Sequence, residues 1–323
     1  MNADFAELTD PLRPELLALC YRMLGSVHDA EDQVQEALLR AWRSYDQFQG
    51  NSSLRTWLYR IATNTCLRAL ENRSRRPLPV GLGAPSDDTD HPPAAARTEV
   101  PWLEPFPDAL LGGDPAAIVT TRSSMRLALI AALQYLPPRQ RAVLILRDVL
   151  QWRAAEVADL LGISAIAVNS LLQRAREGLK DAAPAQDEIS EPSDPGQRAL
   201  LDQYAAAFQA ADVATLMRLL RADAVLEMPP FPTWFAGRDH IGQFLASQVL
   251  GEPDMYRLVP LSVNGQPALA GYRRAADGTH RAHMLEVLTC TTTGIAHITN
   301  FTDPQVFALS GLPEEWTPRL ASA

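Results

Sequence analysis

The chain has 323 residues, of which 47% are hydrophobic and 21% are charged, and its formal net charge is −9 at pH 7. This length is sufficient for two or three globular domains that each bury a core. The cysteines, Cys20, Cys66 and Cys290, are too widely spaced for a zinc site or a disulfide framework. No apolar run is long enough to cross a membrane and the N-terminus is acidic rather than signal-like. We therefore expect a cytoplasmic protein with no metal, cofactor or membrane contact.

Acidic and basic side chains are unevenly distributed along the chain. Residues 40–76 hold eight basic and two acidic side chains, whereas residues 77–121 hold one basic and seven acidic ones. Residues 122–180 are again basic, nine against four, and residues 181–323 are acidic. Because local fields govern attraction to phosphate, the negative total does not exclude nucleic-acid binding by the two basic blocks.

Residues 5–76 have the apolar spacing of helices and no convincing strand pattern. The first predicted helix is Pro14–Leu24, and a Gly-Ser pair separates it from the second, His28–Tyr45. The loop Phe48–Ser53 then precedes a third long helix from Leu54 to about Arg73.

Residues 77–113 contain eight prolines and a cluster of aspartates, which predicts an extended linker. Helices resume in residues 115–150, with a break at Leu136-Pro137-Pro138. A second, polar linker is predicted at residues 184–196.

The segment Trp152–Lys180 is predicted to form two helices joined by a tight turn. Gly162 tolerates the left-handed conformation that ends the first helix, and Ser164 suits the N-cap of the second. The second helix is amphipathic and has a basic end, which is the pattern of a helix-turn-helix that enters the major groove of DNA. An ordinary helical hairpin in an all-α core is the alternative.

From Gln197 onward, two helices precede several strands separated by glycine turns. This order predicts an α+β domain with a curved antiparallel sheet. The predicted helices are Arg198–Gln209 and Val213–Leu220, and the predicted strands are Val225–Met228, Tyr256–Asn264, Pro267–Arg273, His280–Cys290 and Ile295–Phe301.

Three segments together resemble the sigma-70 family of bacterial transcription initiation factors, in its extracytoplasmic-function (ECF) group. They are CYRMLGSVHDAEDQVQEALLRAWRSYDQFQG at Cys20–Gly50, SSLRTWLYRIATNTCLRALENRSRR at Ser52–Arg76, and LPPRQRAVLILRDVLQWRAAEVADLLGISAIAVNSLLQRAR at Leu136–Arg176. The tail from Gln197, with its motif VLEMPPFPTWFAGRDHIGQFL, resembles a SnoaL-like domain of the NTF2-like superfamily, a cone-shaped α+β fold.

The resemblance implies a multidomain chain: two all-α sigma domains, the region 2 helical bundle and the region 4 helix-turn-helix, followed by an α+β NTF2-like cone. The expected limits are region 2 at 1–76, an acidic linker at 77–114, region 4 at 115–183, a linker at 184–196 and the SnoaL-like domain at 197–323. The implied partners are core RNA polymerase, at its clamp and flap, and promoter DNA, which the chain helps to melt without catalysing a reaction. The acidic linker is implied to follow the path of the nascent RNA through the enzyme.

The acidic second helix resembles the surface that docks on the polymerase clamp. A solvated helix face with acids near a favourable N-terminus is the alternative. The expected polymerase-binding residues are Asp29, Glu31, Asp32, Gln33 and Glu36.

The third helix resembles the element that opens and reads the −10 promoter region. Its arginines suit phosphates, and its aromatic and amide side chains suit unstacked bases. The expected contacts are Arg55, Trp57, Arg60, Asn64 and Arg68, although Trp57 is equally compatible with a place in the core.

The last helix of the helix-turn-helix is implied to read the −35 region through Ser164, Ala165, Asn169, Gln173, Arg174 and Arg176. Asn169 and Gln173 suit adenine edges, and Arg174 and Arg176 suit phosphates or guanine. Many relatives carry a lysine and an arginine where this chain has Asn169 and Leu171, a difference that weakens phosphate anchoring.

The tail offers Tyr204, Trp234, His283 and Asp303 as candidate pocket residues. His283 and Glu286 are three positions apart on a predicted strand and are expected on opposite faces, where they make a poor acid–base pair. We therefore expect a regulatory tail that contacts the sigma domains or senses an unidentified small ligand. The competing functions are a ligand-responsive helix-turn-helix regulator and a small-molecule isomerase or cyclase fused to a DNA-binding module.

Overall fold

The computed structural model describes residues 3–48, 50, 52–71, 73–112, 123–180 and 195–317. The chain divides into two compact units. The helical unit comprises Met1–Arg76 and Leu103–Pro184, and the sheet unit comprises Pro77–Trp102 and Ala185–Ala323. Most of the second predicted linker, at 184–196, lies outside the described residues.

The first lobe of the helical unit contains α1 (Ala3–Thr9), α2 (Arg13–Leu24), α3 (Val27–Arg43) and α4 (Leu54–Leu70). Gly25 ends α2 in the left-handed conformation, with φ of 70°. The hydroxyl of Ser26 then accepts a hydrogen bond from the backbone N–H of Asp29 at 3.1 Å and so caps α3. These two residues, recognisable in the sequence, fix the sharp turn between the helices.

The second lobe contains α5 (Leu127–Leu133), α6 (Pro138–Leu144), α7 (Ala154–Leu161) and α8 (Ala165–Lys180). A π-helical turn at Ile145–Val149 extends α6. Gly162, with φ of 64°, makes the turn from α7 to α8 that its sequence predicts.

No single helix in the described part of the chain is long and apolar enough to cross a membrane. The pair α7 and α8, bent by 101°, meets that requirement by length and composition only.

The two lobes are joined by Arg141 of α6, whose side chain is only 3% exposed. Its guanidinium donates to the carbonyl oxygen of Met23 and, at 2.8 Å, to Oε1 of Gln134. It also donates to the carbonyl oxygens of Gln134 at 3.1 Å and Leu136 at 3.2 Å. One side chain therefore ties the C-terminal end of α2 to the α5–α6 connection.

The sheet unit contains five helical or strand elements before the long hairpins: α9 (Pro195–Gln209), α10 (Val213–Leu219), β1 (Leu220–Glu227), β2 (Trp234–Ala236) and α11 (Arg238–Phe244), which a π-helical turn at Leu245–Val249 extends. The later elements are β3 (Tyr256–Val263), β4 (Gln266–Arg274), β5 (His280–Thr291), β6 (Gly294–Phe301) and α12 (Pro304–Ala308).

The six strands form one sheet in the order β2-β1-β6-β5-β4-β3. The prediction of a purely antiparallel sheet is wrong in one place, because β1 and β6 pair in parallel while the other neighbours are antiparallel. The chain leaves β1 to build the far side of the sheet and returns beside it last, and this crossover sets the direction of β6. The short edge strand β2 was not predicted.

One face of the sheet packs against α9, α10 and α11. Its core includes Tyr204, Phe208, Leu226, Phe244 and Leu288, which are all buried. The opposite face carries α12 beside β5, where Phe307 meets the ring of Tyr272 edge-on at 5.3 Å. The α+β fold expected for the tail is therefore present, with both faces of its sheet partly covered.

Residues 77–102, part of the predicted extended linker, pack on the sheet unit and are called the docked segment. Apart from a 3-10 turn at Pro79–Gly81, the segment has no helix, as its proline content requires. It lies along the β2 edge through four hydrogen bonds. These are Ser86 N–H to Trp234 O (2.8 Å), Trp234 Nε1–H to Gly83 O (3.0 Å), Ala94 N–H to Thr233 Oγ1 (2.9 Å) and Arg97 N–H to Pro230 O (2.9 Å).

The docked segment also contacts α11 and β1. After α11, the Ser247 hydroxyl donates to the carbonyl oxygen of Thr89 at 2.5 Å. On β1, the fully buried carboxylate of Glu227 accepts from the N–H of Val80 at 3.2 Å and lies 2.7 Å from Nε2 of His297. The segment thereby supplies a hydrogen-bond donor to a carboxyl group that is buried in the sheet unit.

Replacing Arg141 by methionine should lower the free energy of unfolding by about 3 kcal/mol, because several buried carbonyl oxygens lose their donor. Chemical denaturation followed by tryptophan fluorescence measures the change. R139M alters an exposed arginine of the same helix and should stay within about 0.5 kcal/mol of the wild type. Equal stabilities of R141M and R139M would contradict the role assigned to Arg141.

Candidate nucleic-acid and polymerase interfaces

The acidic residues of α3 differ in how accessible they are. Asp29 forms ion pairs with Arg73 and Arg76, which lower the pKa of its carboxyl group against the opposing effect of burial. Asp32 is exposed, whereas Glu31, Gln33 and Glu36 are half-buried. Asp29 is thus engaged inside the helical unit, and the accessible part of the predicted docking surface begins farther along the helix.

Sequence reasoning missed two apolar side chains of this surface. Leu39 and Trp42 are 39% and 41% exposed, although the other apolar side chains of this amphipathic helix are buried. They follow Glu36, so the outer face of α3 combines acidic and apolar groups. Such a mixture of charged rim and aromatic anchor is typical of protein-binding surfaces.

The predicted −10 residues on α4 are partly occupied by neighbours within the helical unit. Arg55 donates to Oε2 of Glu15 at 2.7 Å, and Trp57 packs on Phe48 with ring centroids 4.8 Å apart. Arg60 forms an ion pair with Asp159 of α7. Asn64 is half-buried and Arg68 is exposed.

Side-chain contacts join α4 to the second lobe. Besides the ion pair between Arg60 and Asp159, the rings of Tyr59 and Trp152 lie 5.6 Å apart. In this arrangement the helix predicted to read the −10 region and the helix-turn-helix share an interface. The guanidinium of Arg60 is therefore engaged by Asp159 in this arrangement.

The predicted −35 residues occupy the outer face of α8. Val168, Leu172 and Ala175 are buried against the rest of the lobe. The predicted contacts, Ser164, Ala165, Asn169, Gln173, Arg174 and Arg176, are all exposed. This separation is what a helix needs to enter a groove while its other face holds the domain together.

Asn169, Gln173 and Arg176 line one concave surface of about 440 Å³, together with Arg147 and Lys180. Arg176 binds both carboxylate oxygens of Asp148, at 2.7 and 2.9 Å, and this ion pair raises the pKa of its guanidinium. The predicted pair of amides therefore lies beside basic groups suited to phosphate.

Ile166 is a further surface residue that the sequence analysis did not single out. It lies in the first turn of α8 and is 80% exposed, an unusual position for a large aliphatic side chain. Its sequence signal was an apolar residue outside the buried face of an amphipathic helix. An exposed aliphatic group on a groove-entering helix suits the methyl group of thymine.

The four candidate pocket residues of the tail have separate neighbours. Tyr204 faces the sheet core and donates to Glu286, whereas the indole of Trp234 donates to the docked segment at Gly83. Asp303 caps α12 by accepting from the N–H of Gln305 at 2.8 Å. The structure does not bring Tyr204, Trp234 and Asp303 together into one site.

A β-bulge changes the expected relation of His283 and Glu286. Gly271 pairs with Met284 and Tyr272 pairs with Ala282, so His283 is the extra residue of β5. The bulge turns its ring toward the helix-covered side, where it lies 5.9 Å from the ring of Tyr256. The expectation that strand alternation separates His283 from the face of Glu286 does not hold at this bulge.

Glu286 is the most perturbed acid of the sheet unit. It is 2% exposed, and burial raises the pKa of its carboxyl group to about 8. The Tyr204 hydroxyl donates to its Oε1 at 3.4 Å, and its Oε2 has no hydrogen-bond partner among the described residues. No cluster of three or more His, Cys, Asp or Glu side chains suited to a metal ion occurs in the described part of the chain.

Comparison with known proteins identifies the family. Residues 8–76 match Sigma-70 region 2, residues 126–179 match Sigma-70 region 4, and residues 196–256 match the nuclear transport factor 2 (NTF2) domain. The ECF RNA polymerase sigma factor SigG of Mycobacterium tuberculosis is 53% identical over 316 residues, which cover 97% of this chain and 85% of SigG. The chain belongs to the ECF sigma-70 family.

A second relative extends the match to a solved structure. The ECF sigma factor SigJ of M. tuberculosis is 30% identical over 313 residues, covering 91% of this sigma factor and 92% of SigJ. The crystal structure of SigJ aligns with a TM-score of 0.62 at 24% identity, over 95% of this chain and 99% of that one, and so shares the fold.

As an ECF sigma factor, the protein is a transcription initiation factor and not an enzyme. Its family implies core RNA polymerase and promoter DNA as partners. The two competing functions, a ligand-responsive regulator and a fused isomerase or cyclase, do not account for a sigma-factor match along nearly the whole chain.

The buried Glu286 predicts a specific pH dependence of this sigma factor. Its carboxyl group keeps a proton up to about pH 8 in the folded state but ionises near pH 4.5 when unfolded. The folded state therefore binds more protons between these values, and stability falls as pH rises, by at most about 1.4 kcal/mol per pH unit.

The E286Q variant cannot ionise at this position and should lose that part of the pH dependence. Its melting temperature relative to the wild type should therefore increase from pH 5 to pH 8, as measured by differential scanning fluorimetry. E314Q, at an exposed position, is the matched control and should show a constant difference. A constant difference for E286Q as well would mean that Glu286 does not fold in the protonated form.

Proposed function

We propose that this ECF sigma factor docks on the clamp of core RNA polymerase through the acidic and apolar face of α3. Region 4 contacts the flap, α4 engages the −10 region, and α8 reads the −35 region. We assign α8 to the −35 region because it presents a row of exposed polar side chains opposite a buried apolar face. We place this activity in the cytoplasm, where core polymerase and promoters are found.

Promoter reading by α8 is tested by in vitro transcription with purified core polymerase on genomic promoter fragments. N169A and Q173A should each reduce specific initiation by about 5- to 100-fold, because an amide pair with adenine contributes roughly 1–3 kcal/mol of discrimination. Base changes at the contacted positions should affect the wild type more than the variant.

S170A is the control on the same helix, because the Ser170 hydroxyl donates to the carbonyl oxygen of Ile166 within α8 rather than serving as a predicted base contact. Initiation should be unchanged in S170A. If N169A and Q173A also initiate normally from every promoter, α8 does not read the −35 region through its amides.

The C-terminal domain has a regulatory role in this proposal. The docked segment belongs to the connection between regions 2 and 4, and the sheet unit holds it along β2 and at α11. In the family, that connection is expected to pass through the polymerase along the path of nascent RNA. A segment held on the sheet unit is not free to take that path, so its release becomes a step at which initiation is controlled.

Two side-chain hydrogen bonds to the docked segment are open to nearly isosteric replacement. T233V removes the acceptor of the Ala94 N–H, and S247A removes the donor to the Thr89 carbonyl oxygen. At about 1 kcal/mol for each bond, the double variant should speed hydrogen exchange of the segment's amides about tenfold or more. Initiation with core polymerase should increase.

T279V is the matched control, because the Thr279 hydroxyl donates to Asp277 within a hairpin turn and makes no contact with the docked segment. Faster exchange without any change in initiation would remove the regulatory role while leaving the docking intact. Unchanged exchange in T233V/S247A would contradict the docking itself.

A further inference from the structure

A cleft of about 420 Å³ lies between the two lobes of the helical unit. One wall comes from the first lobe, at Leu24, Asp29, Leu70 and residues 73–76, and the other from the second lobe, at residues 134–138 and Arg141. This volume is within the range of about 300–1,000 Å³ that is common for small-molecule sites. Of the residues that line the cleft, only Asp29 is among the predicted polymerase or base contacts.

The cleft is strongly positive. Arg73, Arg75, Arg76 and Arg141 line it, and Asp29 is the one acidic side chain among its lining residues. A concave site with charge of one sign concentrates its field and attracts counter-ions. Guanidinium groups match the oxygens of phosphate or carboxylate with paired hydrogen bonds, so this charge favours an oxyanion over a simple halide.

A flat recognition surface lies beside this charge. The guanidinium of Arg75 stands 4.4 Å from the ring centroid of Tyr135, which is 45% exposed. A tyrosine ring and a stacked guanidinium are the groups on which nucleobases stack in proteins. An inorganic anion has no ring that could stack on this surface.

A buried arginine adds to the positive charge beside the cleft. Arg141 is 3% exposed and lines the cleft, and its terminal nitrogens donate to the oxygens of Met23, Gln134 and Leu136. Its Nε has no partner among the described residues. That nitrogen is itself covered, so Arg141 contributes positive charge to the cleft rather than a hydrogen bond to its occupant.

We propose that this cleft binds a nucleotide carrying two or more phosphate groups. Its phosphates compete with Asp29 for Arg73 and Arg76, in the field of the nearby Arg141, and its base stacks beside Tyr135 and Arg75. Since the walls come from both lobes, the bound nucleotide holds the lobes together. The closure keeps Arg60 paired with Asp159. The consequence that it reduces promoter opening rests on the proposed function of α4.

Isothermal titration calorimetry of the full chain with GTP, ATP and pyrophosphate tests binding without reference to transcription. GTP or ATP should bind, and more tightly than pyrophosphate. Y135A should weaken nucleotide binding about tenfold or more, as expected for loss of one stacked base, and leave pyrophosphate binding unchanged. Y135F, which keeps the ring, should bind like the wild type.

R139A is the matched charge control, since Arg139 is exposed on α6 but does not line the cleft. It should leave the affinity for GTP within about twofold. If no nucleotide binds, or if Y135A binds GTP as tightly as Y135F does, the proposal is wrong. Binding of pyrophosphate and GTP with equal affinity would equally overturn it, by reducing the cleft to a general anion site. The proposal would also be wrong if the cleft bound a DNA duplex and no nucleotide.

The regulatory consequence is tested separately by in vitro transcription at increasing concentrations of a GTP analogue that polymerase cannot incorporate. Wild type and R139A should lose initiation as the site fills, and Y135A should require about tenfold more analogue. Nucleotide binding without an effect on initiation would leave the site in place and reject the closure. Loss of initiation in N169A or Q173A tests the proposed function of α8 and does not depend on nucleotide binding or on closure of the lobes.

Discussion

The guanidinium of Arg141 is buried between the two helical lobes, at the C-terminal end of α2 and the end of α5. Helices leave their last carbonyl oxygens without partners inside the helix, and these ends carry partial negative charge. Arg141 supplies donors to the carbonyl oxygens of Met23, Gln134 and Leu136 at once. Burial lowers the pKa of its side chain to about 10, so it remains charged at neutral pH.

The other features of the helical unit depend on this junction. Because α6 is fixed against α2, α7 comes beside α4 and Asp159 reaches Arg60. The same packing creates the cleft lined by Arg73, Arg75 and Tyr135. A surface ion pair such as the one between Arg60 and Asp159 contributes at most about 1 kcal/mol, so the closed arrangement rests on the buried junction, and the ion pair mainly determines which groups are covered.

A second constraint lies within the sheet unit, at the edge of its sheet. Its edge strand β2 has a free side, and the docked segment supplies backbone and side-chain partners along that side. Unpaired edge strands are prone to pairing with other chains, so covering this edge stabilises the domain and protects it from aggregation. In the proposed function, retaining the segment on the sheet unit opposes its release to the polymerase, and this opposition would make the tail regulatory.

Local sequence signals determined most of the helical elements. The Gly25-Ser26 pair, Gly162 and the proline-rich stretch each act within a few residues, and the structure has the expected turns and interruptions at these places. The alternation of buried and exposed positions along α8 was predicted for the same reason, since a helix repeats every 3.6 residues whatever lies around it. The family of the chain and the order of its domains were evident from these motifs.

Only the tertiary structure decided which groups meet across long stretches of sequence. The parallel pairing of β1 with β6, the bulge that turns His283 toward Tyr256, and the ion pairs of Asp29 with Arg73 and Arg76 depend on distant segments that no local pattern specifies. Trp42 is an apolar residue of an amphipathic helix, but nothing in the described chain covers it fully. Sequence periodicity fixes the face on which a side chain lies, whereas its neighbours depend on packing between elements far apart in the chain.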